Sequence, residues 1–499
     1  MRQGKRGFLG YRASLHSFNG VSFFRSVGVL TAGTIISQLL ILAAAPVLTR
    51  LYSPAAFGVL GVYAGLASML ATAGCASYDS AISYARDEAS AVALARLSLV
   101  IIATTASAVA ILGLYGADAV LLWLNLAHAI DYTWALPLTI LSQGCFQISH
   151  NYLLRSRAYV TVGTCNIIQS AATLSAQMAF AFIQTPAGII LGYVVGRVAA
   201  AAAALRAFPA LRQRWSTEIA GARKLGSIAV EYRKFPAYIT WSSLLNQAST
   251  LLPVFVMATF FGVDAAGLFA LSQRVLQMPA GFVSASVGKV FISLAHDPRY
   301  RDAMKQLTEM MVRVLALLGV PSFSLLVLIA PQLFSFAFGP TWYEAGVYAQ
   351  WLTPWLVLTF VSSPLSAILP VFNKQEHELG FQIVLLVARG SALATGVLYE
   401  SPLLAVKLFG LASAGCWACF LFYSLQLVGH RPTAVCGWLF REITVAAAFL
   451  FPVAATVATI SEPYSNPCVL VVVALCSLSL ATSTVIRLIR IRKDGAYLR

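Results

Sequence analysis

VGVLTAGTIISQLLILAAAPVLTRLYSPAAFGVLGVYAGLASMLATAGCASY, residues 27–78, holds a single charged side chain, Arg50. It reads as two apolar runs, about 27–49 and 56–78, separated by Arg50-Leu51-Tyr52-Ser53-Pro54. A helix that crosses a bilayer needs about 20 apolar residues. Each run is long enough to cross.

Working outward from this pair, the same pattern recurs along the whole chain. We read fourteen apolar spans at about 27–49, 56–78, 93–115, 134–154, 162–184, 186–206, 236–261, 267–295, 309–335, 346–371, 380–400, 402–428, 442–460 and 467–489. Apolar residues are 59% of the chain and charged residues 10%, where a soluble domain carries about 25% charged. That balance excludes a soluble enzyme, a disordered tail and a small disulfide scaffold. The basic start followed by an apolar run imitates a signal peptide, but the run from Val27 is too long for one and the chain continues into further spans. It reads as an uncleaved first helix.

The net charge of +16 would suggest nucleic acid in a soluble protein. Here position explains it. With a cytoplasmic N-terminus, 27 of the 34 basic residues fall on the cytoplasmic side, counting Arg96, Arg206 and Arg487 at cytoplasmic span ends, one (Arg50) falls on the outer side, and six lie further inside spans. The asymmetry fixes orientation and needs no nucleic acid. The reading divides the chain into a basic cytoplasmic N-terminus (1–26), an N-lobe of six spans (27–206) and a basic cytoplasmic loop (207–235). A C-lobe of six spans (236–428), an extra helix pair (429–489) and a cytoplasmic tail (490–499) follow. Both termini are expected in the cytoplasm.

The two halves align at an offset of 209. Ser37-Gln38 falls on Asn246-Gln247, and Phe57-Gly58-Val59-Leu60 on Ala266-Gly267-Leu268-Phe269. Six spans return the chain to its starting side, so the repeats would be parallel. Transporters built this way place their substrate between the repeats near the midplane.

Signs of catalysis are poor. Gly281 and Gly288-Lys289-Val290 depart from a phosphate loop in spacing and lack its hydroxyl. Cys416 and Cys419 form a CxxC within an apolar helix, and the six histidines are scattered. We expect no metal, no cofactor and no enzyme. Gly188, Gly192 and Gly196 suit close helix packing.

The informative residues are the cations inside spans: Arg197, Arg274, Lys289, Arg313, Arg389 and Lys407. Burying a charge in hydrocarbon costs about 2.5–3.5 kcal/mol on insertion scales. Lys289, Arg313 and Lys407 are shallow enough to snorkel. Arg197, Arg274 and Arg389 are deep, and every acid, Asp79 included, falls at a span end or in a loop. Deep cations without acids point to a wet, positive cavity, and the guanidinium fork suits a phosphate. Gln38, Asn246, Gln247 and Gln273 are candidates to line it.

Five stretches in order then resemble the polysaccharide-export flippases, the Wzx-like branch of the multidrug/oligosaccharidyl-lipid/polysaccharide (MOP) superfamily. They are Leu48-Thr49-Arg50-Leu51-Tyr52-Ser53-Pro54 with Phe57-Gly58; Tyr78 through Ala81-Ile82 to Arg86-Asp87-Glu88 and Ala91; Glu231-Tyr232-Arg233-Lys234-Phe235-Pro236 with Asn246 and Pro253; Phe338-Gly339 with Trp342, Ala345-Gly346 and Trp351-Leu352; and Ser363-Pro364-Leu365-Ser366. The resemblance covers about residues 25–428 and implies an all-α polytopic membrane protein. Two six-helix lobes would face a central cavity, with two C-terminal helices beyond the usual twelve.

It also implies a job. Such proteins carry an undecaprenyl-pyrophosphate-linked oligosaccharide across the bacterial inner membrane for O-antigen, capsule or exopolysaccharide synthesis, in the company of polymerase and chain-length machinery. On this view Arg197, Arg274 and Arg389 hold the pyrophosphate, Arg50 sits at the outer mouth, and Tyr78, Arg86 and Asp87 lie at the cytoplasmic mouth. A cation-coupled small-molecule or drug antiporter of the same superfamily is the alternative, although the spans offer no deep carboxylate for it. A membrane polysaccharide polymerase or ligase is a poorer fit, because the outer loops are short.

Overall fold

A computed structural model describes residues 20–115, 132–183, 186–207, 222–277, 304–371 and 374–430, with scattered positions between 437 and 483. Most of 1–26, the middle of the basic loop, the second half of span 8, spans 13 and 14 and the tail 490–499 lie outside the described residues.

Twelve long helices follow the first twelve spans. They are α1 (Gly20–Leu51), α2 (Pro54–Cys75), α3 (Glu88–Tyr115), α4 (Leu136–Arg155), α5 (Tyr159–Ala179), α6 (Pro186–Arg206), α7 (Thr240–Phe260), α8 (263–277), α9 (Met304–Phe338), α10 (Tyr343–Ser362), α11 (Gln375–Leu398) and α12 (Pro402–Leu427). A shorter amphipathic helix, Ala222–Glu231, connects the halves. No strand occurs among the described residues. The protein is all-α and multi-pass.

Eight of these helices are long and apolar enough to cross a membrane by length and composition. Among the others, α4 carries Gln143, Gln147, Ser149 and Asn151, and α5 carries Asn166, Gln169 and Gln177, which lower their mean hydropathy. These amides turn inward: the Gln177 side chain donates to the Ile189 carbonyl (3.0 Å). In contrast, α9 is long, and its 35 residues reach about 50 Å at 1.5 Å per residue.

Helix starts follow from local chemistry. At α2 the Ser53 hydroxyl accepts from the Ala56 amide (3.4 Å) with Pro54 in the first turn. Ser401 and Pro402 do the same at α12, the hydroxyl accepting from Leu404 (3.2 Å). Each satisfies an orphan N–H with a residue type suited to it.

The halves pack alike. In the first, α1 lies on α5, α5 on α6, α4 on α6 and α3 on α4. In the second, α7 lies on α11, α11 on α12, α10 on α12 and α9 on α10. Each pairing recurs six helices later, giving two six-helix lobes. The glycines 188, 192 and 196 form the α5–α6 seam, where a Cβ would strike Phe180, Gln177 or Thr173.

Between the lobes, α7 runs against α2 and α9 touches α1. Gly58 and Gly267, equivalent under the offset of 209, meet here. A Cβ on Gly58 would overlap the Val263 carbonyl oxygen, and one on Gly267 would overlap the Pro54 carbonyl oxygen. Residues 54 and 263 are themselves 209 apart. Each half thus presents the same surface to the other, the signature of a two-fold contact, here within one chain. Phe57 meets Trp342 edge-on beside it (5.1 Å, 81°), and the Trp342 indole donates to the Thr49 carbonyl (3.1 Å).

The contact leaves no room for a side chain. Gly58→Val is expected to separate the lobes at this end, raising hydrogen exchange in 54–61 and 263–269 and lowering the apparent Tm. Gly113→Val is the comparison, since nothing lies within 4 Å of Gly113. Equal exchange in both variants would show that the glycine contact does not hold this end closed.

Candidate functional site

The deep arginines divide into two environments. Arg389 on α11 is only 3% exposed. Its Nε donates to the Ser413 hydroxyl (2.9 Å), and Nη1 donates to the Ser249 hydroxyl (2.9 Å) and carbonyl (3.2 Å). The guanidinium also lies over the rings of Trp355 (4.9 Å) and Phe409 (5.1 Å). Hydrogen bonds and cation–π contacts from α7, α10 and α12 surround it. In this arrangement it ties four helices of the second lobe together.

Arg197 and Arg274 are only half-buried. Arg197 on α6 donates from Nη2 to the Tyr193 hydroxyl (2.8 Å), one turn earlier, and lies over that ring (4.9 Å). Its Nε is buried and has no hydrogen-bond partner. Arg274 on α8, in the other lobe, is within electrostatic reach of the same Tyr193. No ion pair to either is found among the described residues. Tyr193 is held in turn by an edge-on contact with Tyr63 (6.3 Å), whose hydroxyl bonds Thr139 (2.7 Å). Arg197 thus sits on the phenol, and a second cation from the other lobe is within its electrostatic range, both with donor capacity unspent. This arrangement can grip an anion between the lobes.

The amides near this seam are incompletely satisfied. Gln247 donates to the Thr72 hydroxyl (2.7 Å) across the lobe boundary, leaving its Oε1 unpaired, and the buried Gln273 has an unpaired Nε2. Gln38 is half-buried and Asn246 exposed. Buried amide atoms without protein partners are places for water or ligand.

Arg50 is exposed in the last turn of α1. At the other end, the Tyr78 hydroxyl donates to the Ala229 carbonyl (3.1 Å) of the connecting helix, and Arg86 pairs with Glu231 (3.4 Å). Asp87 caps α3 by accepting from the Ser90 amide (2.7 Å). Arg389 thus has protein partners of its own and Arg50 is exposed, and among the described residues no hydrogen bond, ion pair or ring contact joins either one to Arg197 or Arg274. The structure adds Tyr193, which the sequence reading passed over; its signal was the i,i+4 spacing to Arg197.

The shallow cations also find partners: Arg313 pairs with Glu309 (2.5 Å), and Lys407 lies over Trp351 (4.6 Å). The glycine-rich stretch 281–290 lies outside the described residues. Cys416 and Cys419 are free, and no group of three or more metal-ligating side chains occurs among the described residues.

Residues 47–346 match the family model described as "Polysaccharide biosynthesis protein", well over half the chain. Comparison with curated proteins finds no match. Among solved structures, the lipid II flippase MurJ in an inward closed conformation aligns with TM-score 0.72 at 11% identity, over 94% of this chain and 100% of that one. A multidrug resistance MATE transporter of the MOP superfamily, inward-facing, aligns with TM-score 0.58 at 16% identity, over 80% and 93%. A MOP superfamily transporter from Pyrococcus furiosus aligns with TM-score 0.57 at 15% identity, over 81% and 95%. At these identities the likeness is one of fold.

The two environments predict different phenotypes. Arg389→Ala should cost about 2–4 kcal/mol through lost hydrogen bonds and an unfilled site, seen as a lower apparent Tm in detergent, and Arg389→Lys should not restore it. Arg197→Ala should melt close to the parent. A parent-like melt for Arg389→Ala would deny it the structural role.

The fold, the two-lobe repeat and the family match agree, and the chain belongs to the polysaccharide biosynthesis protein family, with the fold of the MOP superfamily transporters.

Proposed function

We propose that the chain is a flippase carrying an undecaprenyl-pyrophosphate-linked oligosaccharide across the bacterial inner membrane, with both termini in the cytoplasm. The observation that carries this reading is Arg197 on Tyr193, with Arg274 of the other lobe within electrostatic range of the same phenol. A diphosphate offers several acceptor oxygens and at least two charges, enough for two guanidinium forks at once. A ligand gripped from both lobes links its own passage to their relative motion. The unpaired amides of Gln247 and Gln273 suit the hydroxyls of a sugar, and the prenyl chain stays in lipid.

On this reading Arg50 meets the headgroup at the outer mouth, and Tyr78, Arg86 and Asp87 stand at the cytoplasmic mouth. Arg389 acts by holding the second lobe in shape. The protein moves its cargo without making or breaking bonds. A polysaccharide polymerase with its chain-length machinery would take the cargo at the outer leaflet. A cation-carrying drug antiporter of the same fold is less well supported, because the groups converging between the lobes are positive.

The test is Arg274→Ala and Arg274→Lys in the native host, read as surface polysaccharide and as lipid-linked intermediate at matched protein level. We expect surface material to fall about tenfold or more with alanine, with the intermediate accumulating, and a partial recovery with lysine, which keeps charge but not the fork. Full export by the alanine variant would remove Arg274 from the site.

A further inference from the structure

Residues 76–79 make three tertiary contacts in four positions. Ala76 and Ser77 are both left-handed (φ 47° and 54°), a conformation that non-glycine residues adopt only when their surroundings hold it. The bend sends Ser77 across the lobe boundary and Tyr78 onto the connecting helix. The Thr240 hydroxyl donates to the Ser77 hydroxyl (3.0 Å), and the Tyr78 hydroxyl donates to the Ala229 carbonyl. It sends Asp79 the other way, into the first lobe, where the residue is 8% exposed. There Oδ2 accepts from the Asn151 side-chain amide (3.0 Å). The segment is a latch with one end in each lobe.

No cation lies within ion-pair distance of Asp79 among the described residues. The ionisable groups on elements packed against it are already engaged or are neutral when buried. Cys75 lies one turn earlier and is buried, with its thiol against Gln147 (3.9 Å). On α4, His150 packs on Phe146 (5.7 Å), Tyr152 donates to Glu88, and Arg155 bonds the Ala85 carbonyl and pairs with Glu88 (3.9 Å). Cys145 is a further thiol on that helix. Toward the connecting helix, Glu231 is paired with Arg86, and Arg233 and Lys234 are exposed.

We propose that Asp79 is a protonation site coupled to this gate: neutral while the segment bridges the lobes, and charged once the bridge opens and water reaches it. Burial pushes the Asp79 carboxyl up to about 6 in this closed form, against the partial opposition of its hydrogen bonds to Asn151 and the backbone. A carboxyl that holds its proton more tightly in the closed form makes protons stabilise that form. The stabilisation is full below the usual carboxylate range and is lost as pH rises through about 6. A separation of about two pH units corresponds to about a 100-fold change in the closed-to-open ratio. The proposal rests on the chain being an alternating-access carrier but not on which lipid it carries.

The test is hydrogen exchange of the full-length protein in lipid nanodiscs without substrate, corrected for intrinsic rates, between pH 5 and pH 8. In the parent, protection of residues 72–90 and 222–245 should fall about tenfold, levelling off above the Asp79 midpoint near 6. Asp79→Asn should keep the protection at pH 8. Asn151→Ala removes a donor that favours the charged form and should move the midpoint up. His150→Gln should leave it in place. The same pH dependence in the parent and Asp79→Asn would overturn the proposal. So would a midpoint unmoved by Asn151→Ala or abolished by His150→Gln. Should Asp79→Asn fail to fold, the direction of the Asn151→Ala shift decides alone. Because no substrate is present, failure here leaves the lipid assignment standing, and failure of that assignment leaves the gate intact.

Discussion

Hydrocarbon offers a guanidinium nothing to bond with. Every deep arginine in this chain must be met by protein, by water in a cavity, or by a ligand, because the cost of leaving it bare exceeds what helix packing can return. Arg389 is met by protein: two serines and two aromatic faces. Arg197 and Arg274 are not met in full, and Arg197 keeps a buried N–H with nothing to accept it. On the proposed reading, these two arginines on opposite lobes hold the anion between them, and the rest of the fold positions that place or controls access to it.

Control of access follows from the repeat. Gly58 and Gly267 meet as equivalents, and their backbones approach so closely that only hydrogen fits at either position. A contact made of bare backbone has little side-chain rotamer entropy to lose on closing, and the buried Trp342 beside it, against Phe57 and bonded to the Thr49 carbonyl, locks it. Further along α2 the lobes meet through polar side chains, Thr72 with Gln247 and Ser77 with Thr240, and Tyr78 bonds the connecting helix. One end is closed by close-packed backbone and a buried indole and the other by hydroxyl and amide side chains, so their strengths can respond to different conditions.

Much of this was legible in the sequence. The spans follow from run length, and the offset of 209 from Phe57-Gly58 against Ala266-Gly267 named the two glycines that touch. The facing of each arginine was not legible. Depth in a span is set by sequence position, but whether a side chain turns to cavity or core depends on lobe packing, so Arg389 and Arg274 read alike. Asp79 shows the same limit. It follows the end of span 2 and reads as a loop acid, yet the left-handed pair Ala76-Ser77 folds it back into the lobe. Nothing in those residue types announces a left-handed bend. Tyr193 was readable from its spacing to Arg197, but only once Arg197 was known to face it.

The central claim is that a diphosphate is gripped between the lobes by Arg197 and Arg274. The most direct measurement is binding and scrambling in proteoliposomes of three fluorescent polyprenyl glycolipids, with a diphosphate, a monophosphate or no phosphate. The account predicts that the diphosphate lipid binds most tightly and moves fastest, that the uncharged lipid is left behind, and that inorganic pyrophosphate competes. Equal movement of the uncharged lipid, undisturbed by pyrophosphate, would contradict it.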